Sequence, residues 1–304
     1  MVSTTSRRVR WYTPADLEGW SKLPKHVIEV TNIRDFLEAV TGLTKQWFPV
    51  QKNWGPWFRG HSNSEWRLTP KLYRDGVPDR GIRVVEDEIR QEFLMRGPSL
   101  GSERPQNSWE WYFLMQHYGA PTRLLDWTEA ALIALYFAIR NNRDKKKSEQ
   151  SNATVWALNP WPLNKANLGI DEVIPPGAAT GLLPEHAAKY RFWLPDRYEE
   201  EQELKKELPI AVYPTHFAQR ISSQRSCFTI HGSNPNGFEK IFDESPGYVA
   251  RINIPRNAID GIEDDLSVAG IDELTVFPDL DGLGRYLTAM LRDESRNKSI
   301  WKLG

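Results

Sequence analysis

Residues 107–143 constrain the fold of this chain more than any other stretch, because they predict two helices joined by a short polar connection. The first helix begins at Asn107, with Glu110 three residues later as in a capping box, and Pro121 blocks its continuation. The second helix begins at Asp126, again with an acid three residues later, and is apolar around most of its circumference. Such a helix is normally buried. The sequence therefore predicts a helix pair at the centre of the core.

The connection between these helices places polar side chains beside a buried element. It contains His117, Thr122, Arg123 and Asp126. Buried charges are costly unless they are paired, so either Arg123 and Asp126 neutralise each other or they line a cleft. Thr122 and Arg123 could hold a phosphate where the second helix begins and free N–H groups gather. The simpler interpretations are a helix C-terminal position for His117 and an N-cap for Asp126.

Composition excludes several classes of function. The chain has 304 residues and a net charge of −1, which argues against bulk electrostatic binding to nucleic acid or an anionic membrane. Nucleic acid is not excluded as a partner, because local basic patches occur at Arg7, Arg8 and Arg10 and at Lys145–Lys147. No apolar run approaches the roughly 20 residues of a membrane span, and no secretory signal is recognisable. Cys227 is the only cysteine, so an intrachain disulfide and a site of several thiolates are excluded. We therefore expect a cytoplasmic protein without a metal site.

The remaining elements alternate irregularly along the chain. Alternating and β-branched residues predict strands at 26–30, 56–60, 154–158, 210–213, 227–230, 248–254 and 275–277. Helical spacing predicts helices at 33–43, 84–96, 216–223, 259–269 and 280–292, with loops at 97–107 and 160–185.

These elements lack the βαβ rhythm of a doubly wound sheet. The sequence therefore predicts an α+β fold: a single large domain in which a small mixed or antiparallel sheet packs against the buried central helix pair. We expect an N-terminal leader at residues 1–30, followed by the domain at 31–304 with an irregular insertion at 160–207.

The first candidate site is the segment around Arg59. The common nucleotide-binding, zinc-protease and nucleophile-elbow motifs are absent from the sequence. On a strand, the guanidinium of Arg59 presents a rigid fork suited to phosphate or carboxylate. Gly60 allows close approach of a backbone or a ligand. On spacing alone, an exposed strand arginine followed by a turn glycine is the simpler interpretation.

Two later segments are also polar. Residues 220–229 join a helix to a strand, and without a His–Asn framework Cys227 is not expected to be a nucleophile. In residues 272–283, carboxylates such as that of Glu273 could act as an acid, a base or a cation stabiliser. Asp279 and Asp281 fit equally well as caps of the last helix.

Together these segments resemble the FRG-domain family, which is named for its Phe/Tyr-Arg-Gly motif. The matching stretches, in the family's order, are residues 57–60, 115–128, 220–228 and 277–283, and the resemblance spans about residues 33–291. Ser226 departs from the pattern, which has Gly at that position. The resemblance implies that the four polar segments converge on one cleft.

The aromatic-Arg-Gly strand is also similar to the first motif of ADP-ribosyltransferases of the Arg-Ser-Glu type. This similarity implies an NAD-consuming ADP-ribosyltransferase-like or NAD-glycohydrolase-like protein that could modify a macromolecular acceptor. The bacterial style of sequence in the FRG-domain family implies a toxin or a phage-defence effector. Arg59 would then hold the NAD diphosphate, and Glu273 or Asp126 would stabilise positive charge on the ribose. The implied binding residues are Trp57, Phe58, Gly60, His61, Ser62, His117, Thr122, Arg123, Arg220, Gln224 and Phe228. The alternative is a non-catalytic FRG module that binds a nucleotide or a partner.

Overall fold

The computed structural model describes most of the chain, at residues 10–12, 26–49, 55–75, 81–101, 103–142, 151–173, 175, 189–190, 193–194, 208–214, 223–238, 241 and 246–293. The strands in this part are β1 (Arg10–Tyr12), β2 (His26–Glu29), β3 (Trp57–His61), β4 (Leu124–Thr128), β5 (Ala153–Leu158), β6 (Ile210–Val212), β7 (Ser226–Ile230) and β8 (Val249–Ile254). The α-helices are α1 (Ile33–Trp47), α2 (Ile82–Leu100), α3 (Ser108–His117), α4 (Ala131–Ile139), α5 (Pro160–Leu168), α6 (Ile259–Val268), α7 (Glu273–Val276) and α8 (Leu280–Asp293).

The strands form one eight-stranded sheet in the order β1-β2-β8-β5-β3-β4-β7-β6. Strands β2 and β8 are parallel, and the other neighbouring strands are antiparallel. The predicted α+β class and mixed sheet are therefore confirmed. Strands β1 and β2 come from the segment predicted as a leader, and they form one edge of the sheet.

Helix α4 lies in the core, as its apolar sequence predicts. It packs with α1 and α6 on one face of the sheet, in a cluster that includes Phe58. Gly60 allows this approach, because a Cβ built there would lie 2.1 Å from Ala134 O and 2.5 Å from Ala138 N. Trp57 and Trp127 pack in a second cluster with residues of β5 and β7. Helix α3 packs in a third cluster with β6 and β7.

The predicted start of the second central helix is wrong. Asp126 is not an N-cap, because it lies within β4, where it pairs with Phe228 of β7. Helix α4 begins only at Ala131, and the hydroxyl of Thr128 accepts a hydrogen bond from the backbone N–H of Ala130 at 3.0 Å. The connection between α3 and α4 is therefore a sheet strand and not a tight turn.

Three further local predictions need correction. Residues 275–277 are not a strand, because Asp272 caps α7 by accepting a hydrogen bond from Thr275 N at 2.8 Å. Helix α2 continues to Leu100, into the predicted loop. Helix α5 occupies the start of the predicted loop at 160–185. Asp279 does fulfil its predicted capping role, since it accepts from Gly282 N at 2.7 Å. The predicted helix at 216–223 lies outside the described residues except for its last position.

Candidate functional site

The candidate site lies where the two central strands separate. Within the described residues, β3 and β4 share one register pair, Phe58 with Thr128. A continued antiparallel ladder would pair Arg59 with Trp127 and then Gly60 with Asp126. Instead, the backbone carbonyl of Asp126 accepts a hydrogen bond from Arg59 Nη1 at 2.6 Å. The side chain of Arg59 thus donates to a carbonyl that would otherwise accept from a backbone N–H of the neighbouring strand. We call this gap between β3 and β4, beyond the pair Phe58–Thr128, the open seam.

A cavity of about 340 Å³ lies at this seam. Its volume falls at the lower end of the range of small-molecule sites, which is about 300–1,000 Å³. The lining combines aromatic rings, three charged side chains and several polar groups. It comprises Phe58, Arg59, Gly60, Ser62, Trp66, Gln116, His117, Asp126, Trp127, Thr128, Ala134, Phe137, Arg140, Asn141, Gln224, Ser226, Phe228 and Phe277.

Arg59 is oriented by a neutral histidine. Its Nε donates to His61 Nε2 at 3.0 Å, while His61 Nδ1 lies 3.3 Å from the carbonyl of Trp66. These two contacts assign the proton of His61 to Nδ1. Burial and the adjacent charge of Arg59 hold the pKa of His61 well below its usual 6.5, so the ring stays neutral and can accept. Arg59 Nη2 has no hydrogen bond to any described residue.

Asp126 presents a carboxylate that is held through one of its oxygens. Its side chain is 53% exposed, and Oδ2 lies 3.6 Å from Arg59 Nη1. The same oxygen accepts from Gln116 Nε2 at 2.8 Å. Gln116 is itself held by Thr122, whose hydroxyl donates to Gln116 Oε1 at 2.5 Å. Since Oδ1 has no hydrogen bond within the described residues, it remains available to a ligand.

Arg123 has a structural role away from the cavity. Its Nε donates to both carboxylate oxygens of Glu86, at 2.9 and 2.8 Å, and the two side chains are 1% and 0% exposed. Its other nitrogens donate to the carbonyls of His231 and Trp193. Of the two alternatives for Arg123 and Asp126, mutual neutralisation is therefore wrong, because the arginine is already neutralised by α2. Asp126 alone lines the cavity.

Glu273 lies outside the cavity lining and is connected to it through Arg140. It accepts hydrogen bonds from Tyr136 and Arg285, and it lies 3.6 Å from Arg140 Nη2. Burial alone would raise the pKa of Glu273. The bonds from Tyr136 and Arg285, together with the charge of Arg140, lower that pKa overall. Arg140 is the member of this group that lines the cavity.

The structure brings most of the predicted site residues together. Those that line the cavity are Phe58, Arg59, Gly60, Ser62, His117, Asp126, Gln224 and Phe228. Those placed outside its lining are Trp57, His61, Thr122, Arg123 and Glu273. Trp57 is fully buried among the residues that pack in the second cluster, with its ring 5.2 Å from that of Tyr213. Arg220 lies outside the described residues.

Ten lining residues were not among the predicted site residues, namely Trp66, Gln116, Trp127, Thr128, Ala134, Phe137, Arg140, Asn141, Ser226 and Phe277. Helical spacing could have identified Arg140, which follows Phe137 by three positions at the end of α4. Gln116 directly precedes His117 at the end of α3. For Trp66, which is 50% exposed, no pattern in the sequence distinguishes it from the other tryptophans.

In the described part of the chain, no group of three or more His, Cys, Asp or Glu side chains is placed to hold a metal ion. No helix among those residues is both long enough and apolar enough to cross a membrane. Cys227 is buried, and this burial raises the pKa of its thiol well above 9.0.

The comparison with known proteins matches part of the chain to a family. No curated protein matches the chain, and no solved structure does. Residues 55–147 match the FRG domain. The matched region contains β3, β4, α3 and α4, which carry Arg59 and Asp126 and most of the cavity lining. Residues 55–147 therefore resemble the FRG domain, and within this region the Phe58-Arg59-Gly60 motif lines the cavity.

Proposed function

We propose that the cavity binds a nicotinamide dinucleotide and cleaves the bond between nicotinamide and ribose. The observation that carries this proposal is the convergence of Arg59 and Asp126 at a ring-lined cavity. Arg59 offers Nη2 as a donor toward an anion, and Asp126 offers Oδ1 as an acceptor. A ligand with a diphosphate, flat rings and a ribose that becomes positively charged matches these three features.

Each group has a defined part in this reaction. The C1′–N bond of the ribose breaks, and its electron pair leaves with neutral nicotinamide. Positive charge develops on the ribose, and the carboxylate of Asp126 stabilises it electrostatically. Water or a nucleophile on an acceptor then adds to C1′ and loses its proton. Arg59 binds the diphosphate through charge-assisted hydrogen bonds, and Trp66 with the phenylalanine rings stacks on the bases.

The assignment of Asp126 follows from the position of Glu273. Both acids fit the similarity to ADP-ribosyltransferases, but Glu273 is engaged by Tyr136 and Arg285 and lies outside the lining. An enzyme of this kind would deplete cellular NAD. A bacterial toxin or a phage-defence effector would act through such depletion or through modification of a macromolecular acceptor.

The test is the release of nicotinamide from NAD by the purified protein, with and without cell lysate as a source of acceptors. Asp126→Asn keeps an oxygen and a similar volume but removes the charge. We expect it to lower the release rate by about a hundredfold, as for loss of one electrostatic stabiliser, with NAD affinity changed little. If the unaltered protein releases no nicotinamide under either condition, the proposed activity is wrong.

A second candidate is a binding module without turnover. It is favoured by the ion pair of Asp126 with Arg59. Asp126 is the one carboxylate among the described lining residues, and its charge is already offset by Arg59 at 3.6 Å. This candidate predicts that NAD or ADP-ribose raises the melting temperature while no nicotinamide is released. Arg59→Ala should abolish that rise, and a variant that keeps it would exclude Arg59 from the site.

A further inference from the structure

We infer that Arg140 is a second anion-binding residue of the cavity and that the ligand is a nucleoside diphosphate or a molecule containing one. This inference rests on the proposed function, because it concerns the same cavity. Arg140 belongs to the single 3-10 turn that follows α4, Arg140–Asn142. It lines the cavity together with Arg59, so two guanidinium groups face one space.

Aromatic rings hold the guanidinium of Arg140 in place. Its Cζ lies 4.7 Å from the ring centroid of Phe277, 5.7 Å from that of Phe137 and 5.8 Å from that of Tyr136. Contacts of this kind stabilise a cation over ring faces without using its N–H donors. The side chain remains 28% exposed. The rings therefore orient the group and leave its hydrogen-bonding capacity intact.

The donors of Arg140 are unused in the described part of the chain. Its side chain makes no hydrogen bond there, and its ion pair is with Glu273 at 3.6 Å. Glu273 is shared, since Oε2 accepts from Tyr136 and Oε1 accepts from Arg285 Nε. One carboxylate thus serves two arginines and has nearer partners than Arg140. Arg140 consequently retains both positive charge and a free planar fork at the cavity.

A diphosphate can bind both arginines, whereas a single phosphate binds one of them. The fork of Arg140 matches two phosphate oxygens, and Arg59 Nη2 supplies a further donor. Asp126 opposes a phosphate placed at Arg59 Nη1, because Oδ2 of Asp126 lies 3.6 Å from that nitrogen and like charges repel. We therefore place one phosphate on Arg140 and the adjoining phosphate near Arg59 Nη2, with the ribose toward Asp126.

The test uses adenosine, AMP and ADP as probes in isothermal titration of the full chain. The variants are Arg140→Gln and, as a matched control, Arg285→Gln. Arg285 contacts the same Glu273 and also lies over Phe277, at 4.8 Å, but it is not a lining residue. Melting curves show whether each variant is folded.

We expect affinity to rise from adenosine to AMP to ADP in the unaltered protein. Arg140→Gln should weaken ADP binding at least about tenfold and leave adenosine binding nearly unchanged, because it removes charge-assisted bonds to phosphate. Arg285→Gln should change ADP binding less than about threefold. Arg140→Lys, which keeps the charge but not the fork, should be intermediate.

The outcomes separate this inference from the proposed function. ADP binding that is equally strong in Arg140→Gln would overturn the inference while leaving a nucleotide site. ADP binding that depends on Arg140, without release of nicotinamide from NAD, would support the inference and reject the proposed reaction. Failure of all three probes to bind the unaltered protein would overturn the inference, and the release of nicotinamide from NAD would then decide the proposed reaction on its own.

Discussion

The glycine of the Phe58-Arg59-Gly60 motif provides the sharpest test of the packing described above. We predict that Gly60→Ala destabilises the protein through contact with the backbone of α4. The new Cβ would lie 2.1 Å from Ala134 O and 2.5 Å from Ala138 N. These two atoms form one i to i+4 hydrogen bond of the helix, so the methyl group would enter that bond. A flexible side chain could move aside, but a helix backbone buried in the core cannot do so cheaply.

The expected magnitude follows from this obstacle. Overpacking a core costs about 1–3 kcal/mol, occasionally more, and displacement of backbone belongs at the upper end of that range. A loss of about 3 kcal/mol should lower the melting temperature by roughly 6–12 °C for a domain of this size. Differential scanning calorimetry measures that change.

Gly42→Ala is the matched control for this substitution. Gly42 lies inside α1, and a Cβ there meets nothing within 4 Å. Alanine at such a position stabilises a helix by about 0.5–1 kcal/mol, so the control should melt at or slightly above the temperature of the unaltered protein. A Gly60→Ala protein that melts within about 2 °C of the unaltered one would refute the packing argument. The glycine would then be explained by ligand approach.

Three further predictions concern buried groups. Glu86→Gln leaves Arg123 buried beside a neutral partner, so it should lower the free energy of unfolding, measured in urea, by about 3–5 kcal/mol. The double variant Glu86→Leu/Arg123→Met should recover most of that loss. An equal loss in both variants would contradict the pairing. Because the pKa of Glu273 is lowered on folding from 4.5, its charged form stabilises the fold above that pH, and the contribution disappears as pH falls through the folded pKa. Acid unfolding of Glu273→Gln should consequently depend less steeply on pH below about 4.5, and an unchanged slope would count against the contacts of Glu273. Cys227, whose burial raises its thiol pKa, should resist an aromatic disulfide reagent in the native protein and react in urea, so rapid native labelling would show that it is accessible.

Local patterns predicted the elements that local forces determine. The apolar circumference of α4 correctly placed it in the core, and the capping geometry of Asn107 is confirmed by its bond from Glu110 N at 3.0 Å. The same capping pattern failed at Asp126, although the residue spacing is identical. There the ladder with β7 outcompetes a cap, and that partner strand is about a hundred residues away, as the 102-residue separation of the Trp127–Thr229 bond indicates. No window of neighbouring residues contains this information.

The candidate site likewise combines features that the sequence predicted with features that only tertiary contacts determine. The resemblance of four motifs predicted their convergence, and the cavity does contain residues from each. Motif membership did not distinguish the residues facing the cavity from those behind it. Arg123 and Asp126 are three positions apart, yet one is buried against Glu86, 37 residues earlier, and the other is exposed. Only tertiary pairing decides which charge is buried in an ion pair and which lines the cavity.

The open seam also divides the sheet mechanically. With one register pair joining β3 to β4, the half-sheet β1-β2-β8-β5-β3 and the half-sheet β4-β7-β6 share few backbone bonds at their junction. A molecule bound by both Arg59, on β3, and Asp126, on β4, would connect the two half-sheets. Occupancy would then slow amide exchange along both strands, far beyond the residues that it touches. Ligand binding at the cavity would therefore be coupled to the integrity of the sheet through the junction of β3 and β4.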